Sequence, residues 1–138
     1  MANFATEADV RLKFQLNDTT LAPPALLAGS IGDAHGELLR RLAPEFDTTP
    51  PEDAVVLGET LLAGAHVLRS LASKDAFEQK DIVVGGQRIE AGKRFSSLMT
   101  MASLATDEAW RILAPYLVDQ PARPPVGVTD TVAVLGEE

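Results

Sequence analysis

Apolar residues recur at helical spacing through most of this chain, and the breaks between those runs mark out four helices. The first opens at Thr6, which can cap, with Glu7 and Asp9 placed to favour the positive helix start. Val10 and Phe14 lie one turn apart, Leu12 and Leu16 widen the apolar side, and Asn17, Asp18, Thr19 and Thr20 read as a turn. The second begins near Pro23 and Pro24 and carries Leu27, Ile31, Ala34, Leu38 and Leu42 as one stripe, with Pro44 as its stop. Gly29, Gly32 and Gly36 lower its propensity, which leaves two readings open: close helix approach, or a break near Gly29. The third opens with a capping-box pattern, Thr49, Pro50, Pro51 and Glu52, and runs through Val55, Leu61, Leu62, Leu68 and Leu71. Ala54, Gly58, Ala65 and Ala72 give it a small-residue face, so it is apolar most of the way round, the mark of a central helix. The fourth is expected from about Lys93 to Leu117, striped by Phe95, Leu98, Ala102, Ala105, Ala109, Leu113 and Tyr116, with a stop near Pro115.

Two stretches break the pattern. Ile82, Val83 and Val84 are β-formers, and Gly85 and Gly86 separate them from Gln87, Arg88, Ile89 and Glu90, which predicts a projecting β-hairpin. Lys80, Arg88, Lys93 and Arg94 make that region locally basic. After Val118, Pro121, Pro124 and Pro125 stiffen a linker into Val126, Val128, Val132 and Val134, a run suited to a strand. Such an arm either adds to the sheet edge of a neighbouring subunit or stays partly ordered. The expected fold is therefore mostly α: a small bundle of about four helices over residues 1–118, with a short β-hairpin loop and an extended Pro-rich C-terminal arm over 119–138.

Composition narrows the function classes. At 138 residues, 46% hydrophobic and 23% charged, the chain suits one globular domain, but aromatics are only 5% and the core rests on Leu, Val and Ala. Modest stability of the lone subunit, raised by assembly, is the expectation. The absence of cysteine removes disulfides and thiolate metal sites. The polar start, Met1 to Asp9, lacks a signal-peptide pattern, and Arg69 and Lys74 end the longest apolar run, so no membrane partner is expected. A net charge of −8 argues against tight phosphate binding.

Candidate chemistry is sparse. His35 and His66 sit in no metal-binding pattern, and Asp33, His35 and Glu37 alternate along a helix without sharing a face. His66, on the apolar third helix, reads as a hydrogen-bonded core or interface residue. The carboxylate pairs Glu52–Asp53, Asp107–Glu108 and Glu137–Glu138 are sequence neighbours that point apart on a helix, poor geometry for shared acid–base work. Gly85 and Gly86 lack the Lys-Ser/Thr of a phosphate loop, and no nucleophile elbow exists. These observations predict no enzyme, no cofactor and no metal. The candidate partner-binding residues are Ile82, Val84, Arg88 and Ile89 in the hairpin, and Val126, Val128, Val132 and Val134 in the arm. No aromatics interleave with the hairpin's basic residues, so base stacking is not expected.

The order of parts resembles a known family. Phe4, Thr6, Asp9 and Val10 form a Phe-x-Thr-x-x-Asp-Val phrase at the first helix. An Ala-rich third helix follows over Leu57 to Leu71, and a last helix is entered through Gly92, Lys93, Arg94 and Phe95 and closes at Leu113 to Leu117. Over Phe4 to Val118 this looks like the head-tail connector (adaptor, head-completion) proteins of long-tailed bacteriophages. The resemblance implies a structural virion protein of the phage neck, present in host cytoplasm during assembly. It implies a homo-oligomeric ring of about a dozen subunits beneath the portal protein, contacts to the portal and to the next neck or tail protein, and a channel through which DNA passes non-specifically. A related tail-completion protein, or a small helical protein-binding or regulatory module, is the alternative. Deletion of Pro121 to Glu138 is predicted to leave the helical domain folded while weakening assembly. Circular dichroism and native mass spectrometry of the truncated chain read the two effects separately.

Overall fold

The computed structural model describes residues 3–78 and 85–118. Helices α1 (Glu7–Phe14), α2 (Pro24–Leu39), α3 (Asp53–Glu78) and α4 (Gly85–Leu113) are joined by short connections, with 3₁₀ turns at Pro44–Phe46 and Ala114–Tyr116. The small, mostly α bundle expected from the periodicity is what forms. α3 packs against α1, α2 and α4. From Gly58 to Leu68 every residue of α3 except His66 is buried, which makes it the central helix. It is also long and apolar enough, by length and composition alone, to cross a membrane, contrary to the expectation that Arg69 and Lys74 end any such run. Two-thirds of that window (67%) is buried inside the bundle, so most of it is already covered by protein.

Each start has a local cause. Thr6 caps α1 by a reciprocal box: its hydroxyl accepts from the Asp9 amide (3.1 Å) and the Asp9 carboxylate accepts from the Thr6 amide (2.9 Å). α1 closes at Gln15, which takes the left-handed conformation, φ 57°, and donates its N–H to the Arg11 carbonyl. Val10 is buried, whereas Leu12, expected on the apolar side, is 75% exposed because it sits two positions from Val10 and faces away. α2 runs unbroken through Gly29, and its stripe Leu27, Ile31, Ala34, Leu38 and Leu42 is buried throughout. It ends at Leu39, before Pro44. The capping box expected at Thr49 is absent. The Thr49–Pro50 peptide is cis, the Thr48 hydroxyl donates to the Pro50 carbonyl (2.8 Å), and α3 begins beyond both prolines at Asp53. Helical backbone is disfavoured for a residue preceding proline, which keeps Thr49 and Pro50 out of the helix; the Glu52 carbonyl takes the first bonds instead, from Val55 and Val56.

The β-hairpin is not formed. No strand occurs among the described residues, and α4 starts at Gly85, eight residues before the expected Lys93. Gly85 and Gly86 lie in its first turn, and Arg88 and Ile89 are helical. Two short strands with no third strand to join are marginal in water. Extending α4 costs only the low helix propensity of the glycines. Arg94 grips Asp75 with two bonds (Nε to Oδ2 2.5 Å, Nη2 to Oδ1 3.0 Å), tying the early part of α4 to the end of α3. At the other end α4 stops at Leu113 because Pro115 has no N–H to donate to the Arg111 carbonyl, and the chain tightens into the 3₁₀ turn. There Leu117 meets Leu42 in a single antiparallel bridge, with Ala43 N–H donating to Tyr116 (2.9 Å) and Val118 N–H to Arg41 (2.8 Å). Phe46 packs edge-on against Tyr116, and the Arg41 guanidinium lies 4.4 Å over the Trp110 ring.

Two glycines of α3 set how closely its neighbours approach. A Cβ on Gly58 would lie 2.3 Å from Cγ of the fully buried Leu113, and one on Gly64 would lie 1.9 Å from the Phe14 ring. Phe14 is half-buried and can swing outward, whereas Leu113 has nowhere to go. Gly58→Ala is therefore expected to destabilise by about 1–3 kcal/mol, overpacking outweighing the gain in helix propensity. Gly64→Ala is expected to cost less, and urea unfolding of the two variants reads the difference.

Candidate functional site

Most predicted contact residues do not converge in the described structure. Ile82, Val84, Val126, Val128, Val132 and Val134 lie outside the described residues, as does the whole arm 119–138. Arg88 and Ile89 belong to the first turns of α4 rather than to a hairpin. A different element projects. At about 1.5 Å per residue, α3 and α4 each run roughly 40 Å, against roughly 24 Å for α2 and 12 Å for α1. The α3–α4 pair therefore outruns the two helices that cover it. Beyond Ala72 on α3, and from Lys93 to Ser97 on α4, the described side chains are exposed apart from half-buried Asp75. Phe77 is 88% exposed there and Phe95 is also exposed; further along α4, Met101 and Leu104 (63%) lie on the outer side, away from buried Ala102, Ala105 and Ala109.

The polar feature that sequence reading missed is at the centre. Glu59 is completely buried in α3, and three donors surround its carboxylate. The amides of Phe4 (2.8 Å) and Ala5 (2.9 Å) donate to Oε2, and Nδ1 of His35 pairs with Oε1 at 2.7 Å. The carboxylate partner selects the tautomer carrying hydrogen on Nδ1. The Phe4 ring stands edge-on to the imidazole at 4.8 Å. Nε2 of His35 is buried and has no partner among the described residues. Arrangement of this pair follows from helix faces: His35 falls beside Ala34 and Leu38 on the buried stripe of α2, and Glu59 sits between buried Gly58 and Thr60 on α3. A signal existed in the sequence: one carboxylate inside an otherwise apolar run, and one imidazole four residues after Ile31 and three before Leu38. A charge at a core position must be paired, because leaving it alone is too costly.

His66, expected as a core or interface residue, is half-buried at the edge of α3. Its Nε2 lies 3.4 Å from Glu37 Oε1, at a shallow cleft of about 480 Å³ lined also by Gly32, Asp33, Gly36 and Arg40. A second groove, about 450 Å³, runs between α1 and α3 past Leu12, Lys13, Val56 and Leu57. Among the described residues no group of three or more His, Asp or Glu side chains is arranged to hold a metal ion. Glu59→Ala is expected to cost about 3–5 kcal/mol, since it strands His35 and two amides in the interior. Glu37→Ala, at the solvated pair, is expected to cost less than about 1 kcal/mol. Denaturant midpoints of the two variants check the contrast.

Neither a family model, nor a curated protein, nor a solved structure matches this chain.

Proposed function

We propose that the chain is a structural assembly subunit, of the kind that forms a ring at the neck of a long-tailed bacteriophage virion, between portal protein and tail. The observation that carries this reading is the overhanging α3–α4 pair with Phe77 and Phe95 exposed at its end. Large apolar side chains exposed on a two-helix projection mark a contact surface. That projection takes the docking role first expected of a β-hairpin. The buried polar pair does not compete with this role: Glu59 and His35 are enclosed and their bonds are used in holding the chain to itself, which leaves no open acid–base centre there. The net charge of −8 suits a channel wall that DNA passes without being held. A second reading, a small protein-binding module, is favoured by the groove between α1 and α3, whose floor of Val56 and Leu57 lies beside exposed Leu12.

The test is assembly. Native mass spectrometry and negative-stain imaging of the full chain, alone and with a portal protein, are expected to give rings. Phe77→Ser is expected to reduce ring formation while leaving the denaturation midpoint within about 0.5 kcal/mol of the parent, as befits an exposed position. A chain that stays monomeric under both conditions defeats the proposal.

A further inference from the structure

We propose that residues 3–22 form a detachable lid on α3 whose single polar clasp is the Glu59 carboxylate. Within this segment the hydrogen bonds close on themselves. Thr6 and Asp9 cap each other, and Arg11 donates through Nε to Glu7 (2.8 Å), through Nη1 to the Leu16 carbonyl (3.0 Å) and through Nη2 to the Ala22 carbonyl (2.9 Å). Asp18 accepts from the amides of Thr20 and Leu21, and its carbonyl accepts from the Ala22 amide. Arg11 thus welds α1 to the whole connection that follows it.

Across the boundary the picture is different. Among the described residues, the hydrogen bonds that leave segment 3–22 are those of Phe4 and Ala5, and both end on one atom, Oε2 of Glu59. The remaining attachment is apolar: Val10, Ala5 and Ala22 are buried, Phe4 packs on His35, and Phe14 fills the hollow over Gly64. Pro23 forms the hinge. Its backbone is extended (φ −70°, ψ 157°), and its carbonyl already accepts from Leu26 and Leu27, so α2 keeps its own start when the segment leaves. A unit with few buried side chains, internal hydrogen bonds and one external clasp opens as a block at lower free energy than the global fold. Opening uncovers the face of α3 that carries Gly64 and the Glu59–His35 pair.

Hydrogen exchange of the full chain, read by NMR or mass spectrometry, tests this. Amides of residues 4–22 are expected to exchange as one block, faster than those of Leu62, Val67, Ala105 and Ala109, with the boundary at Pro23. Glu59→Gln keeps the shape but weakens the charge-assisted bonds, and is expected to speed exchange of the block about tenfold, whereas Gly58→Ala, which strains α3 against Leu113 and leaves the clasp intact, is expected to speed Ala105 and Ala109 without speeding the block. Thr6→Ala, at an exposed cap within the segment, is expected to speed the same block. Arg11→Met is expected to split it, releasing residues 16–22 ahead of α1. One common exchange rate for all four helices overturns the proposal. So does a Gly58→Ala effect that reaches residues 4–22 as strongly as Ala105 and Ala109, or a Glu59→Gln effect that leaves residues 4–14 unchanged.

Discussion

Enclosure of α3 along its middle stretch is the constraint around which the other elements are arranged. A helix that buries every residue but one from Gly58 to Leu68 needs neighbours on each face, and α1, α2 and α4 supply them. The contacts are close because the buried side chains are small: Ala63, Ala65 and Ala72 line the interface, and Gly58 and Gly64 receive Leu113 and Phe14. Small residues bury little area each, so the bundle relies on intimate packing rather than on bulky aromatics. That reliance makes a few positions sensitive to a single added methyl group.

Within this apolar centre one carboxylate is retained. Glu59 is tolerated because its two oxygens meet three donors from two separate parts of the chain, α2 and the N-terminal segment. A buried ionic group of this kind contributes specificity of seating more than raw stability. Here it fixes where the chain before α1 lies, since the amides of Phe4 and Ala5 both donate to it. The same arrangement leaves α1 lightly held, for its own apolar face is reduced to Val10 and half-buried Phe14.

Surface and interior then divide the work. The enclosed part of the bundle holds the fold, while the far reaches of α3 and α4 carry apolar side chains that the monomer does not cover. The proposed assembly role would draw on that second set and makes no demand on the first. The closing bridge between Leu42 and Leu117, with Trp110 and Tyr116 beside it, secures the opposite end of the bundle.

The helices were legible from spacing, because a 3.6-residue period with capping and proline signals is a local property. Thr6, the Leu27–Leu42 stripe and the Ala102–Leu113 stripe could be read without coordinates. Positions governed by competition between local and distant terms could not. Ile82–Val84 with Gly85 and Gly86 have local hairpin chemistry, yet from Gly85 onward the helix prevails, because α3 offers a helix face to pack on and no strand is present among the described residues to complete a sheet. Leu12 is apolar by type and exposed by geometry. Glu59 and His35, which lie on separate helices, become partners only when α2 and α3 pack. Local periodicity determines which residues can be helical; only tertiary packing decides which faces meet, and therefore which charge is enclosed and which apolar surface is left uncovered.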